Sequence, residues 1–145
     1  MTLCTASETI SFIRDELEEK AAKFYEDLAR KNPEKANLFL SFAKENRKYI
    51  KQIQMTYQFV ISDAIEGCFA FNLESDNYIF ETDLPDNASL ADVANKALAI
   101  EEKIIACYED GAEQSMSLLA DIPRNFMIVV RKRNSRLEQL KALIP

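Results

Sequence analysis

The chain contains no histidine and no tryptophan, two glycines, four prolines and three scattered cysteines in 145 residues. Without histidine it has neither the commonest transition-metal ligand nor the usual acid–base group for neutral pH. Cys4, Cys68 and Cys107 form no CxxC pair, which excludes a four-cysteine iron centre and points to reduced thiols rather than a disulfide framework. So few helix breakers favour long helices over many short strands. Basic charge is also in short supply. Eighteen Lys and Arg against 24 Asp and Glu leave a net charge of −6, which argues against a nucleic-acid or anionic-membrane surface. No apolar run reaches membrane-spanning length, the densest being Phe126 to Val130. Met1 to Cys4 shows neither the basic start nor the apolar run of a secretory signal. The expectation is a cytoplasmic protein of one domain, residues 1–145.

What the chain does have is a near-repeat. Glu18-Glu19-Lys20-Ala21-Ala22-Lys23-Phe24-Tyr25-Glu26-Asp27-Leu28-Ala29 returns as Glu101-Glu102-Lys103-Ile104-Ile105-Ala106-Cys107-Tyr108-Glu109-Asp110-Gly111-Ala112. Each copy precedes a second amphipathic stretch, so the chain reads as two helical hairpins on one plan. The spacing of apolar residues predicts helices over about 7–30, 33–62, 89–115 and 123–143. Thr5 with Glu8 and Ser89 with Asp92 are capping-box patterns, and Asn32-Pro33 reads as an N-cap with proline at the first helical position. Gly111 falls near the end of the third helix. Residues 63–88 lose the helical period and read as a long crossover, in which short turns or an extended segment fit. Its aromatic residues cover a groove of the bundle.

These features together resemble the rubrerythrin branch of the ferritin-like superfamily. The resemblance rests on Glu-x6-Tyr in both first helices (Glu18 and Tyr25, Glu101 and Tyr108), on the short turn and amphipathic partner helix, and on the crossover between halves. It implies an all-α, ferritin-like four-helix bundle of two antiparallel hairpins. In that family two irons are held by one Glu from each first helix and a Glu-x-x-His from each second helix. By spacing, the first pair falls on Glu18 and Glu101. Alignment of the second-helix stripes (Phe39 with Phe126, Phe42 with Val129, Ile50 with Leu137) puts the Glu-x-x-His positions on Asn46 and Tyr49, and on Arg133 and Arg136. Four of six ligands are therefore replaced, two of them by guanidiniums that do not deprotonate and repel a cation.

The resemblance thus implies a bundle that has lost di-iron binding and the oxidase or peroxidase chemistry, with no catalytic residue, no metal and no cofactor. A buried carboxylate needs a compensating charge. Glu18 and Glu101 with Arg133 and Arg136 make a neutral quartet, with Tyr25, Tyr108, Tyr49 and Asn46 free to complete its hydrogen bonds. Two readings compete at the edges: Glu18 as a surface partner of Arg14, one turn away, and Arg136 reaching out to solvent. The function expected is a non-catalytic binding or interaction module, forming a homodimer or higher homo-oligomer, with no nucleic-acid or membrane partner. One alternative is a metalloprotein with rearranged carboxylates, Glu18, Glu101, Glu102 and Glu45. Another is a bundle that holds a small apolar ligand.

Overall fold

The computed structural model describes residues 1–63, 71–116 and 121–145. The chain is predominantly helical. Strand β1 (Thr2–Leu3) leads into α1 (Ala6–Phe12), a π-helical segment (Ile13–Glu18) and α2 (Glu19–Lys31), which form one continuous arm. A 3-10 turn (Pro33–Lys35) joins this arm to α3 (Ala36–Asp63). Strand β2 (Leu73–Glu74) and a second 3-10 turn (Ser75–Asn77) follow, and then α4 (Leu90–Ser115) and α5 (Asp121–Lys141). The four long helical units match the predicted ones to within three residues at either end.

The caps explain two of the starts. The Thr5 hydroxyl accepts from the Glu8 N–H while the Glu8 carboxylate accepts from the Thr5 N–H, each at 3.1 Å. Ser89 and Asp92 repeat the exchange at 3.1 and 3.2 Å. Each cap contributes about 1 kcal/mol. Asn32 behaves otherwise. Its side-chain amide donates back to the Leu28 carbonyl at 3.0 Å, and a 3-10 turn separates it from α3.

The apolar faces of α2, α3, α4 and α5 close one core. In it α2 packs on α3, α3 on α5, and α5 on α4. Gly111 lies near the end of α4, as expected, where a Cβ would sit 2.9 Å from the Phe126 ring. The missing side chain lets α4 and α5 approach closely there.

The crossover holds a feature the sequence reading left open. Leu73 and Glu74 pair antiparallel with Leu3 and Thr2. The Met1 ammonium reaches Glu74 at 2.7 Å, and the Phe71 N–H bonds the Cys4 carbonyl at 3.0 Å. Farther along, the Tyr78 hydroxyl donates to Asp110 at 2.6 Å, and Lys20 lies over the Phe80 ring. Phe71, Tyr78 and Phe80 are all buried, as expected of residues that cover a groove. Cys68 and Val60 lie outside the residues whose side chains are described. Cys107 is fully buried, and burial pushes its thiol well above the ordinary range.

Candidate functional site

The π-helical segment decides where Glu18 points. Within it the hydrogen bonds reach back five residues, as from the Glu19 N–H to the Arg14 carbonyl. A turn holding an extra residue rotates the side chains that follow relative to those before. Glu18, at the edge of the stripe in a regular α-helix, is thereby brought fully inside. This overturns the surface pairing with Arg14, whose guanidinium instead binds its neighbour Asp15 at 2.8 and 2.9 Å. Arg136 does not reach out to solvent either, being 1% exposed.

Glu18, Glu101, Arg133 and Arg136 converge at the centre of the bundle. The Arg133 fork bridges the two carboxylates, Nη2 to Glu18 Oε1 and Nη1 to Glu101 Oε2. Arg136 Nη1 donates to Glu101 Oε1 at 2.9 Å and to Asn46 Oδ1 at 2.6 Å, and its Nη2 donates to the Phe42 carbonyl at 3.2 Å. The tyrosines cross between hairpins. Tyr25 donates to Glu101 at 2.7 Å, and Tyr108 donates to Glu18 at 2.6 Å. The near-repeat in the sequence therefore becomes a reciprocal exchange: each Tyr serves the Glu of the other copy.

Aromatic faces enclose the guanidiniums. Arg133 lies 5.2 Å from the Tyr49 ring and 6.0 Å from Tyr108; Arg136 lies 4.6 Å from Phe42 and 5.4 Å from Tyr25. Such stacking suits a planar, weakly hydrated cation. The sequence reading gave Tyr49 a hydrogen-bonding role. Its hydroxyl finds no partner among the described residues, and its contribution is the ring; burial pushes its phenol up to about 12.

Ionisation is uneven across the centre. Burial acts most strongly on both carboxylates and raises both. At Glu101, Arg133, Arg136 and the Tyr25 hydroxyl outweigh it, and the carboxyl is held below its ordinary value. Glu18 has only Arg133 in direct ionic contact; Arg133, Tyr108 and the more distant Arg136 offset burial incompletely, and its carboxyl stays above its ordinary value. At Arg133 burial works against the charge, but Glu101 and Glu18 overcome it and hold the guanidinium firmly protonated.

The carboxylates of a rearranged metal set are not brought together. Glu102 is exposed, and Glu45, 42% exposed, touches the centre only by its 3.5 Å contact with Arg136. Among the described residues, no group of three or more His, Cys, Asp or Glu side chains is placed to hold a metal ion. No helix among them is long and apolar enough to cross a membrane. Comparison with protein-family models, with curated proteins and with solved structures returns no match to this chain.

Sequence reasoning missed the π-helical segment and the tyrosine exchange between hairpins. The equal seven-residue Glu-to-Tyr spacing in both copies carries the second, since a pseudo-twofold arrangement makes the exchange mutual. The first has no comparable signal.

Proposed function

We propose that this protein is a rubrerythrin-like, ferritin-like bundle that does without di-iron chemistry and acts as a non-catalytic, self-associating binding module. The observation that carries the reading is Arg133 set between Glu18 and Glu101. On this reading the Arg133 guanidinium, in contact with both carboxylates, takes the role that the metal has in the family. The quartet is neutral when all four groups are ionised. Buried charges of both signs compensate one another through these hydrogen bonds, with Arg133 Nε and Arg136 Nε left without a partner among the described residues.

Two experiments test this. Elemental analysis of the purified protein should find no stoichiometric iron, manganese or zinc, and ferroxidase and peroxidase assays should read background. One or more metals per chain, lost in Glu101→Ala, would overturn the reading. The second experiment rebuilds the site. Asn46→Glu, Tyr49→His, Arg133→Glu and Arg136→His together restore a six-ligand set with Glu18 and Glu101. Four carboxylates would then crowd one dry site, so the metal-free variant should be less stable than the wild type. Ferrous iron should raise its melting temperature, because a ligand of the folded state alone must stabilise it, and should leave the wild type unchanged. A folded variant with no iron-dependent shift would show that the family mapping is incorrect.

A further inference from the structure

The charge of this protein is divided between its helices. Helices α3 and α5 hold ten of the 18 Lys and Arg and four of the 24 Asp and Glu, a net +6 that leaves −12 on the remainder. Two of the ten, Arg133 and Arg136, lie inside against Glu18 and Glu101; without these four groups the two helices still carry +4 against −10 on the remainder.

On α3 the imbalance forms a stripe. Leu40, Lys44, Lys48, Lys51 and Met55 follow one another at spacings of four, four, three and four, which places them on one face of the helix. All five are exposed, Leu40 at 49% and Met55 at 68%. Nearby Arg47 differs from the three lysines in being taken up by Glu19 and Glu26. Helix α4 carries the opposite pattern. Glu102, Ala106, Glu109, Glu113 and Met116 recur at four, three, four and three, with the three carboxylates exposed and Met116 exposed at 68%. Met116 follows α4 in right-handed helical geometry and so continues the face. When the two stripes are laid parallel with Met116 beside Met55, Glu109 falls opposite Lys48 and Glu113 close to Lys51. In this register a methionine on each helix closes one end of the contact.

We infer that the α3 stripe docks on the α4 stripe of a second copy of this chain, a head-to-tail contact in which Lys48 and Lys51 meet Glu109 and Glu113, with Lys44 and Glu102 on the far side and Met55 and Met116 closing the near end. This deepens the self-association proposed above and rests on it. The occupant is a second copy because this same chain carries a face of opposite charge, with two of its carboxylates in register with two of the lysines and an exposed methionine at the corresponding end. A lipid surface fits less well, since an interfacial helix buries a continuous apolar face, and here lysines fill the stripe between its apolar ends. Within one molecule α3 packs on α2 and α5, while α4 packs on α5, so the two stripes belong to helices that are not principal packing partners. The contact is therefore heterologous and builds rings or open chains rather than a twofold dimer. Exposed ion pairs are individually weak and screened by salt, so association belongs to high protein concentration and low ionic strength.

Sedimentation equilibrium of the full chain tests this with a charge exchange. One variant carries Lys44→Glu, Lys48→Glu and Lys51→Glu. The other carries Glu102→Lys, Glu109→Lys and Glu113→Lys. All six sites are exposed, and circular dichroism melts check that each variant is folded. At about 10 mM salt, where the Debye length is about 30 Å, the wild type should rise above its 16.6 kDa chain mass as concentration increases; at about 1 M, where it is about 3 Å, the mass should fall back. Each variant alone should stay monomeric, because both its faces then have the same sign. An equimolar mixture of the two should associate, since every acidic face again meets a basic one. Variants that associate as the wild type does would overturn the stripes while leaving self-association standing. A wild type that stays monomeric in low salt at every concentration would overturn both. Failure of the mixture to associate, or wild-type binding to anionic vesicles without self-association, would overturn the pairing of the two faces. The metal-free reading of the centre stands or falls separately, on elemental analysis.

Discussion

Arg133 and Arg47 each bridge a pair of glutamates in opposite surroundings. Arg133 joins Glu18 to Glu101 with all three side chains fully buried. Arg47 joins Glu19 and Glu26 on the flank of the bundle, at 3.1 and 2.8 Å, with every partner more than a third exposed. Arg47 makes a fork on Glu26 and one bond to Glu19, Arg133 makes one bond to each of its glutamates, and the leading influence on each guanidinium differs. At Arg47 it is the hydrogen bond to Glu26, which strengthens a charge that water already supports. At Arg133 it is burial, which opposes the charge, and only the two carboxylates reverse the balance. Arg47 can lose its partners and remain solvated. Arg133 and its glutamates depend on one another, as carboxylates in a metalloprotein depend on their metal.

The largest effect should follow from breaking the inner bridge. Arg133→Met leaves Glu18 with no ionic partner and Glu101 with Arg136 alone, and should destabilise by about 3–5 kcal/mol. Urea unfolding measures it. If the loss is no greater than that of Arg47→Met, the centre is more hydrated than its burial indicates.

The two inner carboxylates should next be told apart by pH. Glu101 is held below its ordinary value, so it contributes stability above about pH 4.5 that is lost as pH falls through its folded value. Glu18 is raised, so its contribution is full below about pH 4.5 and is lost as pH rises through its folded value. Between about pH 3 and 7, the penalty of Glu101→Gln relative to wild type should grow with pH, and that of Glu18→Gln should shrink. Parallel slopes in urea-unfolding titrations would contradict the asymmetry, which follows from Arg136 contacting Glu101 and not Glu18. The smallest effect belongs outside. Arg47→Ala should cost under about 1 kcal/mol, and less as salt is raised.

Much of this was legible in the chain. Helical period, two capping boxes and the scarcity of breakers place the four helical units, because caps and amphipathic faces are local chemistry. Glu101, Asn46 and Arg133 lie within apolar stripes, and their burial follows from that position. Glu18 was not readable with the same sharpness, because a π-helical turn moves its side chain and residues 13–18 carry no local signal for that turn. Strand β2 was hidden for a related reason. Two residues paired to a two-residue N-terminal strand carry almost no periodicity, and the pairing joins residues 70 and 72 positions apart. Asn32-Pro33 shows the limit of a local signal, since the proline starts a 3-10 turn before α3 begins.

The central claim is that Arg133 serves as the cation for two carboxylates that would otherwise be stranded. A double-mutant cycle tests it most directly: wild type, Glu18→Gln, Arg133→Met and the pair together, unfolded in urea at pH 7. The double variant removes one charge of each sign and keeps the 2.9 Å contact between Arg136 and Glu101. It should recover most of the stability lost in Arg133→Met, with a coupling of about 2–3 kcal/mol, near the upper end for residues in contact. Additive losses, with coupling below about 0.5 kcal/mol, would mean that Arg133 and Glu18 do not support one another and that the arginine is not standing in for a cation.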